Sequence, residues 1–256
     1  MRIASLTLVE FDLLWEALGR SDRPYPLDVP SFGETTDDRD QLRKEVINGL
    51  TARGLHDGTD LDRDLEDSLT VLAQHDYSVD GLLSVGRHVR VLGAGRGSRT
   101  VLAVQMGERI RIGQLRGGAI VAEIVALLPD ADPGPGTAVT LAKSVFHNAI
   151  DAYVDSGFAG LETALNQGGV TGRDMRTIAT LVENSRHGGG QIAANSVDRM
   201  GRRTRTDVVN WFDTTAGRYL ALPTKRDGVD WLTLAPADTP RLSQRLRDLV
   251  DSVTPR

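Results

Sequence analysis

Apolar residues recur along the first third of the chain with the spacing of helices. Leu65, Leu69 and Leu72 lie at intervals of four and three, which places them on one face of a helix. The pattern predicts helices that begin at residue 8, at about residue 37 and near residue 60. Between the first two, residues 23–33 contain three prolines. We expect this segment to be extended and to lie over the surface.

The period then changes from helical to strand-like. Three stretches are strand-like, at residues 84–95, 98–106 and 108–115. In the last of them, Ile110 and Ile112 alternate with Arg109 and Arg111. Such alternation is typical of an antiparallel sheet that is buried on one face and solvated on the other.

The same order of patterns follows a proline- and glycine-rich connector at residues 129–139. Helical patterns precede strand-like stretches, and a closing helix is predicted from Asp238. The residues Leu65, Leu69 and Leu72 have counterparts 110 positions later, at Met175, Ala179 and Val182. We therefore expect a quasi-two-fold repeat with halves 1–128 and 140–256. The two strand meanders would then join in one sheet within a single domain, residues 1–256.

Charge and composition narrow the class of protein. The formal net charge is −5, which argues against a general nucleic-acid binder. Residues 1–80 contain 18 acidic and 8 basic residues, and residues 81–256 contain 17 and 22, so the balance changes from −10 to +5. The chain has no cysteine, which excludes disulfides and thiolate chemistry. Its apolar runs are too short to span a bilayer and do not form a secretory leader, so we expect a cytoplasmic protein without membrane insertion.

The glycine-rich stretch Gly93-Ala94-Gly95-Arg96-Gly97 has a glycine spacing close to that of a phosphate-binding loop. A dinucleotide loop leads into a helix, whose N-terminus holds the pyrophosphate. Here the following residues, SRTVLAVQ, have strand character, and Ser98 stands where the third glycine belongs. The stretch is therefore interpreted as the tip of a hairpin, where glycine supplies a positive φ.

Two other stretches invite a functional interpretation. The arginine-rich residues 198–207 contain no aromatic residue to stack on bases, which favours a solvated turn. The segment NWFDTTAGRYL, residues 210–220, predicts a structural hairpin. In it, Asp213 would bond to the backbone of its own turn and Gly217 would take a positive φ.

The chain shows no pattern typical of catalysis. The five histidines lack the spacing of zinc ligands, and no G-x-S-x-G motif is present. The carboxylates of residues 60–67 are typical of a helix start. The sequence therefore predicts no catalytic residue, no metal and no cofactor. An enzyme that uses carboxylates or a bound nucleotide, and a homodimeric structural protein, stay as alternatives.

Read in order, the chain resembles the EspG family, chaperones associated with ESX (type VII) secretion in actinobacteria. The resemblance is carried by LTLVEFDLLWEALGRSDRPYPLDVPSFG, DLEDSLTVLAQHDYSVD, GRHVRVLGAGRGSRTVLAVQMGERIRI, ALLPDADPGPG, WFDTTAGRYL and WLTLAPADTPRLSQRLRDLV, which together span nearly all 256 residues. It implies an α+β fold with a central, largely antiparallel sheet flanked by helical bundles. It also implies a cytoplasmic, non-enzymatic chaperone.

The resemblance further implies a partner and a binding surface. The clients would be PE–PPE heterodimers, helical secretion substrates kept soluble until export, and a client-free homodimer is a further possibility. In this family the client contacts the sheet, a hairpin loop within it and the C-terminal helical bundle. By position, the loop is Gly93–Ser98, and we expect the exposed sheet face beside it to include His88, Arg90, Gln105, Arg109 and Arg111.

Overall fold

The computed structural model describes residues 3–20, 22–116, 119–198 and 200–254. The first half runs from a strand through three helices to four strands and a short helix. These elements are β1 (Ile3–Thr7), α1 (Leu8–Ala17), α2 (Thr36–Ala52), α3 (Arg63–Ala73), β2 (Tyr77–Ser84), β3 (His88–Arg96), β4 (Arg99–Met106), β5 (Arg109–Leu115) and α4 (Ile120–Val125).

The second half repeats this order with one additional short strand and with two helices in place of three. Its elements are β6 (Val139–Ala142), α5 (Lys143–Gln167), α6 (Gly172–Glu183), β7 (Arg186–Val197), β8 (Arg203–Arg205), β9 (Val209–Thr214), β10 (Gly217–Arg226), β11 (Val229–Pro236) and α7 (Thr239–Asp251).

One sheet runs through both halves. Its strand order is β1-β5-β4-β3-β2-β7-β9-β10-β11-β6, with β8 paired to β7 outside this path. The order is symmetric about the central β2–β7 pair, in which Tyr77 lies opposite Ser196 and Ser84 opposite Gly189. All strand pairings of the described residues are antiparallel. The predicted α+β fold with a quasi-two-fold repeat is therefore confirmed.

Helices pack on both faces of the sheet, so the prediction of one wet face was wrong for the sheet as a whole, although β5 exposes Arg109 and Arg111 as expected. Helices α4 and α7 pack on the back face, the face that carries Val91 and Trp211. Helices α1–α3 pack on the opposite face of the first half, and α5 and α6 on that face of the second half. We call this second face, which carries Leu92 and Phe212, the bundle face. In β3, the adjacent residues Val91 and Leu92 are both buried and enter two different cores, so neither face is solvated there.

Helix starts follow local capping rules where the side chain is suitable. The Thr7 hydroxyl accepts from the Glu10 N–H at 3.2 Å, and the Glu10 carboxylate accepts from the Thr7 N–H at 2.8 Å, as the sequence predicted. Asp238 caps α7 in the predicted place. Thr171 lies at the start of α6, but its side chain makes no capping hydrogen bond.

The hairpin at residues 210–220 is structural, but through different bonds from those expected. Asp213 does not close the turn; its carboxylate accepts from the Arg218 guanidinium at 2.6 and 3.0 Å, with both side chains buried. The turn is closed by the Thr214 hydroxyl, which donates to the Gly217 carbonyl. Gly217 has the expected positive φ, 127°.

The same hairpin holds the connector between the two halves. The Arg218 guanidinium donates to the carbonyl of Pro129 at 2.8 Å, and the Tyr219 hydroxyl to that of Pro135 at 2.9 Å. Burial raises the pKa of Tyr219, so this hydroxyl stays a donor at neutral pH. None of the described helices is long and apolar enough to cross a membrane.

Candidate functional site

An open groove of about 810 Å³ lies on the bundle face of the second half. One wall is α5, which presents Phe146, Ile150 and Tyr153 at positions i, i+4 and i+7, on one side of the helix. Helix α6 supplies the other wall, and the sheet supplies the floor. The floor comprises Leu82, Gly190, Gln191, Asn210, Phe212, Ala221, Leu232 and Leu234.

Helix α5 is a tight helical hairpin rather than a straight rod. Gly157 breaks it with φ 64° and ψ −150°, values that a residue with a Cβ rarely adopts. The chain reverses there, and Gly160 lies so close to the Ala152 carbonyl that a Cβ would clash with it. The tip leaves Val154 77% and Phe158 39% exposed, beside the groove wall at Tyr153.

Few polar groups interrupt the groove. The Asn210 amide donates to the Ala221 carbonyl at 3.3 Å, and the Gln191 side chain is exposed. At the rim, the Arg186 guanidinium lies 5.4 Å from the centre of the Phe212 ring, a cation–π distance. An open apolar groove with a polar rim is suited to hold an apolar segment of another protein.

The matching position in the first half is filled. The offset of 135 residues that relates Leu6 of β1 to Leu141 of β6 also relates Phe11 to Phe146 and Trp15 to Ile150. The Phe11 and Trp15 rings stack 5.4 Å apart and are both buried.

The proline-rich residues 22–32 close this half. The Trp15 indole N–H donates to the Asp22 carbonyl at 2.7 Å. The segment forms neither helix nor strand and turns at Tyr25 and Pro26. Leu27 and Val29 enter the core of the first half, so the expectation that it lies over the surface was wrong.

The predicted loop Gly93–Ser98 is mostly strand. Strand β3 continues to Arg96 and β4 begins at Arg99, so the turn itself is Gly97-Ser98, with Gly97 at φ 55°. Gly93 and Gly95 are buried, and a Cβ on either would clash with Ile120 or Tyr77. These two glycines therefore provide space for neighbouring side chains, and the turn is shorter than the predicted loop Gly93–Ser98. Arg96, Gly97 and Ser98 are exposed.

The five other predicted residues do not share a face. His88, Arg90 and Gln105 lie on the bundle face, because Arg90 pairs with Gln105 across the strands. Arg109 and Arg111 lie on the back face, since Ile110 and Ile112 point into the core of α1–α3. The expectation of one common exposed surface was therefore wrong.

Two of these residues already have structural partners. Gln105 is buried and exchanges two hydrogen bonds with the Asp28 backbone, at 2.7 and 2.8 Å. The Arg90 guanidinium donates to the Asp28 carboxylate at 2.9 Å and to the Pro26 carbonyl at 3.3 Å. Both hold the segment 22–32 in place. His88 is exposed and pairs with Ser84 of β2. Ser84 lies two residues beyond Leu82, the residue of β2 that lines the groove floor.

The groove itself was missed by sequence reasoning. Its clearest signal was the helical spacing of Phe146, Ile150 and Tyr153, which reads equally well as the core face of a helix. The sequence does not show that this face of α5 stays uncovered, because its exposure depends on where the rest of the chain packs.

The sheet order, the two helical bundles and the open groove define a scaffold that belongs to a known family. The model of the EspG family matches residues 7–248, so the chain is a member of the EspG family, and the resemblance in the sequence is confirmed.

One similar solved structure is the Mycobacterium tuberculosis type VII secretion system chaperone EspG5 in complex with a PE25–PPE41 dimer. The likeness has a TM-score of 0.77 at 19% identity, and covers 99% of this chain and 97% of that one. It supports the same fold. No curated protein matches the sequence.

Proposed function

We propose that this chain is a chaperone of type VII secretion that binds helical PE–PPE-type heterodimers in the cytoplasm and does not catalyse a reaction. The observation that carries the proposal is the open apolar groove in a member of the EspG family. The complex of EspG5 with a PE25–PPE41 dimer supports the choice of partner. The groove would receive an apolar end of the client and keep it from water before export.

The groove is physically suited to this role. Its walls are apolar and only half-buried in the free protein, so binding removes apolar surface from water and gains about 25 cal/mol per Å². The exposed Val154 and Phe158 extend this surface along the hairpin of α5. Binding energy in protein interfaces concentrates in aromatic side chains that become buried in the complex, as Phe146, Tyr153 and Phe158 would.

A charge placed on the groove floor tests the proposal. Gln191 is exposed in the free protein, so Gln191→Arg leaves the fold intact but forces a guanidinium against the apolar client. We expect the dissociation constant of the purified complex with a PE–PPE heterodimer from the same genome to rise by about 100-fold. Isothermal titration calorimetry measures it.

The matched control is Asn148→Arg, the same kind of exchange at an exposed position on the outer side of α5. It should leave the affinity unchanged. Equal affinities of the two variants would contradict the location of the site, and failure of the wild-type chain to bind any such heterodimer would contradict the function.

We also propose that the turn at residues 96–98 takes part in binding only through its exposed side chains. Arg96→Glu in the same titration tests this, because the substitution leaves the buried glycines in place. An affinity equal to that of the wild type would exclude the turn from the interface.

A further inference from the structure

A second pocket, of about 350 Å³, lies on the bundle face of the first half. It is bounded by the ends of α1 and α3, by residues 22–25 and by strands β7 and β8. On β2 it reaches Asp80, whereas the apolar groove reaches Leu82. Residues two apart on a strand share a face and lie about 7 Å from each other. The two cavities are therefore neighbours across the centre of the sheet.

The second pocket differs from the groove in its chemistry. Four arginines line it, at positions 20, 23, 203 and 205, together with the carboxylates of Asp22 and Asp80. Asp80 is buried and accepts from both terminal nitrogens of Arg205, at 2.6 and 2.8 Å. This contact fixes one guanidinium at the rim.

The charge in this pocket is not balanced. Arg23 is paired with Asp12. The guanidinium groups of Arg20 and Arg203 make no hydrogen bond or ion pair with any residue in the described ranges. Among the described residues, the lining has four arginines and two carboxylates, because Asp12 lies outside it and also accepts from Arg39.

We propose that this pocket binds a side-chain carboxylate of the client while the apolar groove holds the client's apolar end. The inference rests on the function proposed above and adds a second, chemically distinct contact. Guanidinium groups match a carboxylate through paired hydrogen bonds, and a carboxylate reduces the excess positive charge of the lining. A phosphate group, with about two negative charges, would meet stronger repulsion from Asp22 and Asp80 than a carboxylate would.

The proposal is tested by removing the two unpaired guanidinium groups. In the titration with the PE–PPE heterodimer, Arg20→Gln with Arg203→Gln should weaken binding by about tenfold. The control is Arg226→Gln with Arg245→Gln, which makes the same change in net charge elsewhere on the molecule. Both arginines are exposed, and their side chains make no hydrogen bond or ion pair with the residues that the structure describes. The control should change the affinity by less than about twofold.

A double-mutant cycle identifies the carboxylate. Each Asp or Glu near the client's apolar end is changed to Asn or Gln, and one such change should weaken binding to the wild-type chain but not to the Arg20→Gln, Arg203→Gln variant. This coupling would not arise if the arginines only supported the fold. The melting temperature of the client-free variant should equal that of the wild type.

Three results would overturn the proposal. Equal affinities of the pocket variant and its control would remove the pocket from the interface while leaving the proposed function intact. Absence of binding by the wild type would remove both. Stabilisation of the client-free wild type by inorganic phosphate, lost in the pocket variant while client affinity stays unchanged, would assign the pocket to a free anion.

Discussion

The two halves of the molecule share one framework and differ in whether its bundle face is closed. In the first half, Phe11 and Trp15 are 0% and 2% exposed. Their counterparts in the second half, Phe146 and Ile150, are half-buried and line a groove. The difference is one inserted segment: residues 22–32 cover the first half, and nothing in the described part of the chain covers the second.

The comparison shows how a repeated fold separates stability from recognition. Leu27 and Val29 complete the core of the closed half, and Gln105 and Arg90 fasten the segment that carries them. The open half keeps the same helix direction and the same strand order. Its half-exposed apolar side chains are available to a partner, because no part of the chain occupies that space.

The largest expected difference between the halves concerns the paired positions 15 and 150. Trp15→Ala leaves a cavity in a closed core and should lower the free energy of unfolding by about 3–5 kcal/mol. Ile150→Ala removes a side chain that is already half in water, so its cost should be about 1 kcal/mol. Urea unfolding of the two variants measures both. Similar costs would show that the second half is as closed as the first.

A smaller effect is expected from the fastening of the closing segment. Gln105→Ala removes both hydrogen bonds to the Asp28 backbone, at a cost of about 2 kcal/mol. It should also speed cleavage by thermolysin, which cuts beside residues such as Leu27 and Val29. The comparison variant is Asn210→Ala in the open half, whose amide makes only long bonds of 3.3 and 3.5 Å. Unchanged proteolysis of Gln105→Ala would contradict the fastening role.

The smallest effect concerns the pH dependence of the closed half. Burial is the main cause that lowers the pKa of His75 from 6.5, although the hydrogen bond to the Leu72 carbonyl opposes it, and Arg203 lowers the pKa further. As the pH falls through 6.5, the unfolded chain binds a proton that the folded chain does not. His75 therefore favours folding above this pH and loses that contribution below it.

The measurement is the melting temperature at about pH 7.5 and about pH 5.5. The decrease between the two should be greater for the wild type than for His75→Gln. His75→Gln melting with the same pH dependence as the wild type would show that this imidazole does not contribute. The corresponding position in the open half, Ser185, has no titratable group.

Sequence reasoning succeeded where a rule depends on one element alone. The face of α3 with Leu65, Leu69 and Leu72 and the cap of α1 at Thr7 both follow from local spacing. Strand β2 was missed because it buries Ser78 and Asp80, and polar residues in a strand usually indicate a solvated side. The bonds that satisfy Asp80 come from Asn195 and Arg205, more than a hundred residues away in the chain.

The extent of the predicted hairpin tip was misjudged for a related reason. Gly93 and Gly95 were placed in the tip, whereas they lie within β3 and leave space for Ile120 and Tyr77. Neither contact can be read from the glycine-rich stretch itself. Alternation likewise placed Arg90 and Arg109 on exposed sides but did not show that those sides are opposite faces of the sheet.

The central pair of strands also has a consequence for how this chain can be divided. Strands β2 and β7 join over eight consecutive residue pairs, from Tyr77–Ser196 to Ser84–Gly189. A fragment cut within the connector would expose this whole row of backbone N–H and C=O groups as an open sheet edge, which readily pairs with another chain. Each half, when separated, would therefore tend to self-associate or aggregate. The connector prevents this because it keeps β2 and β7 paired within one chain.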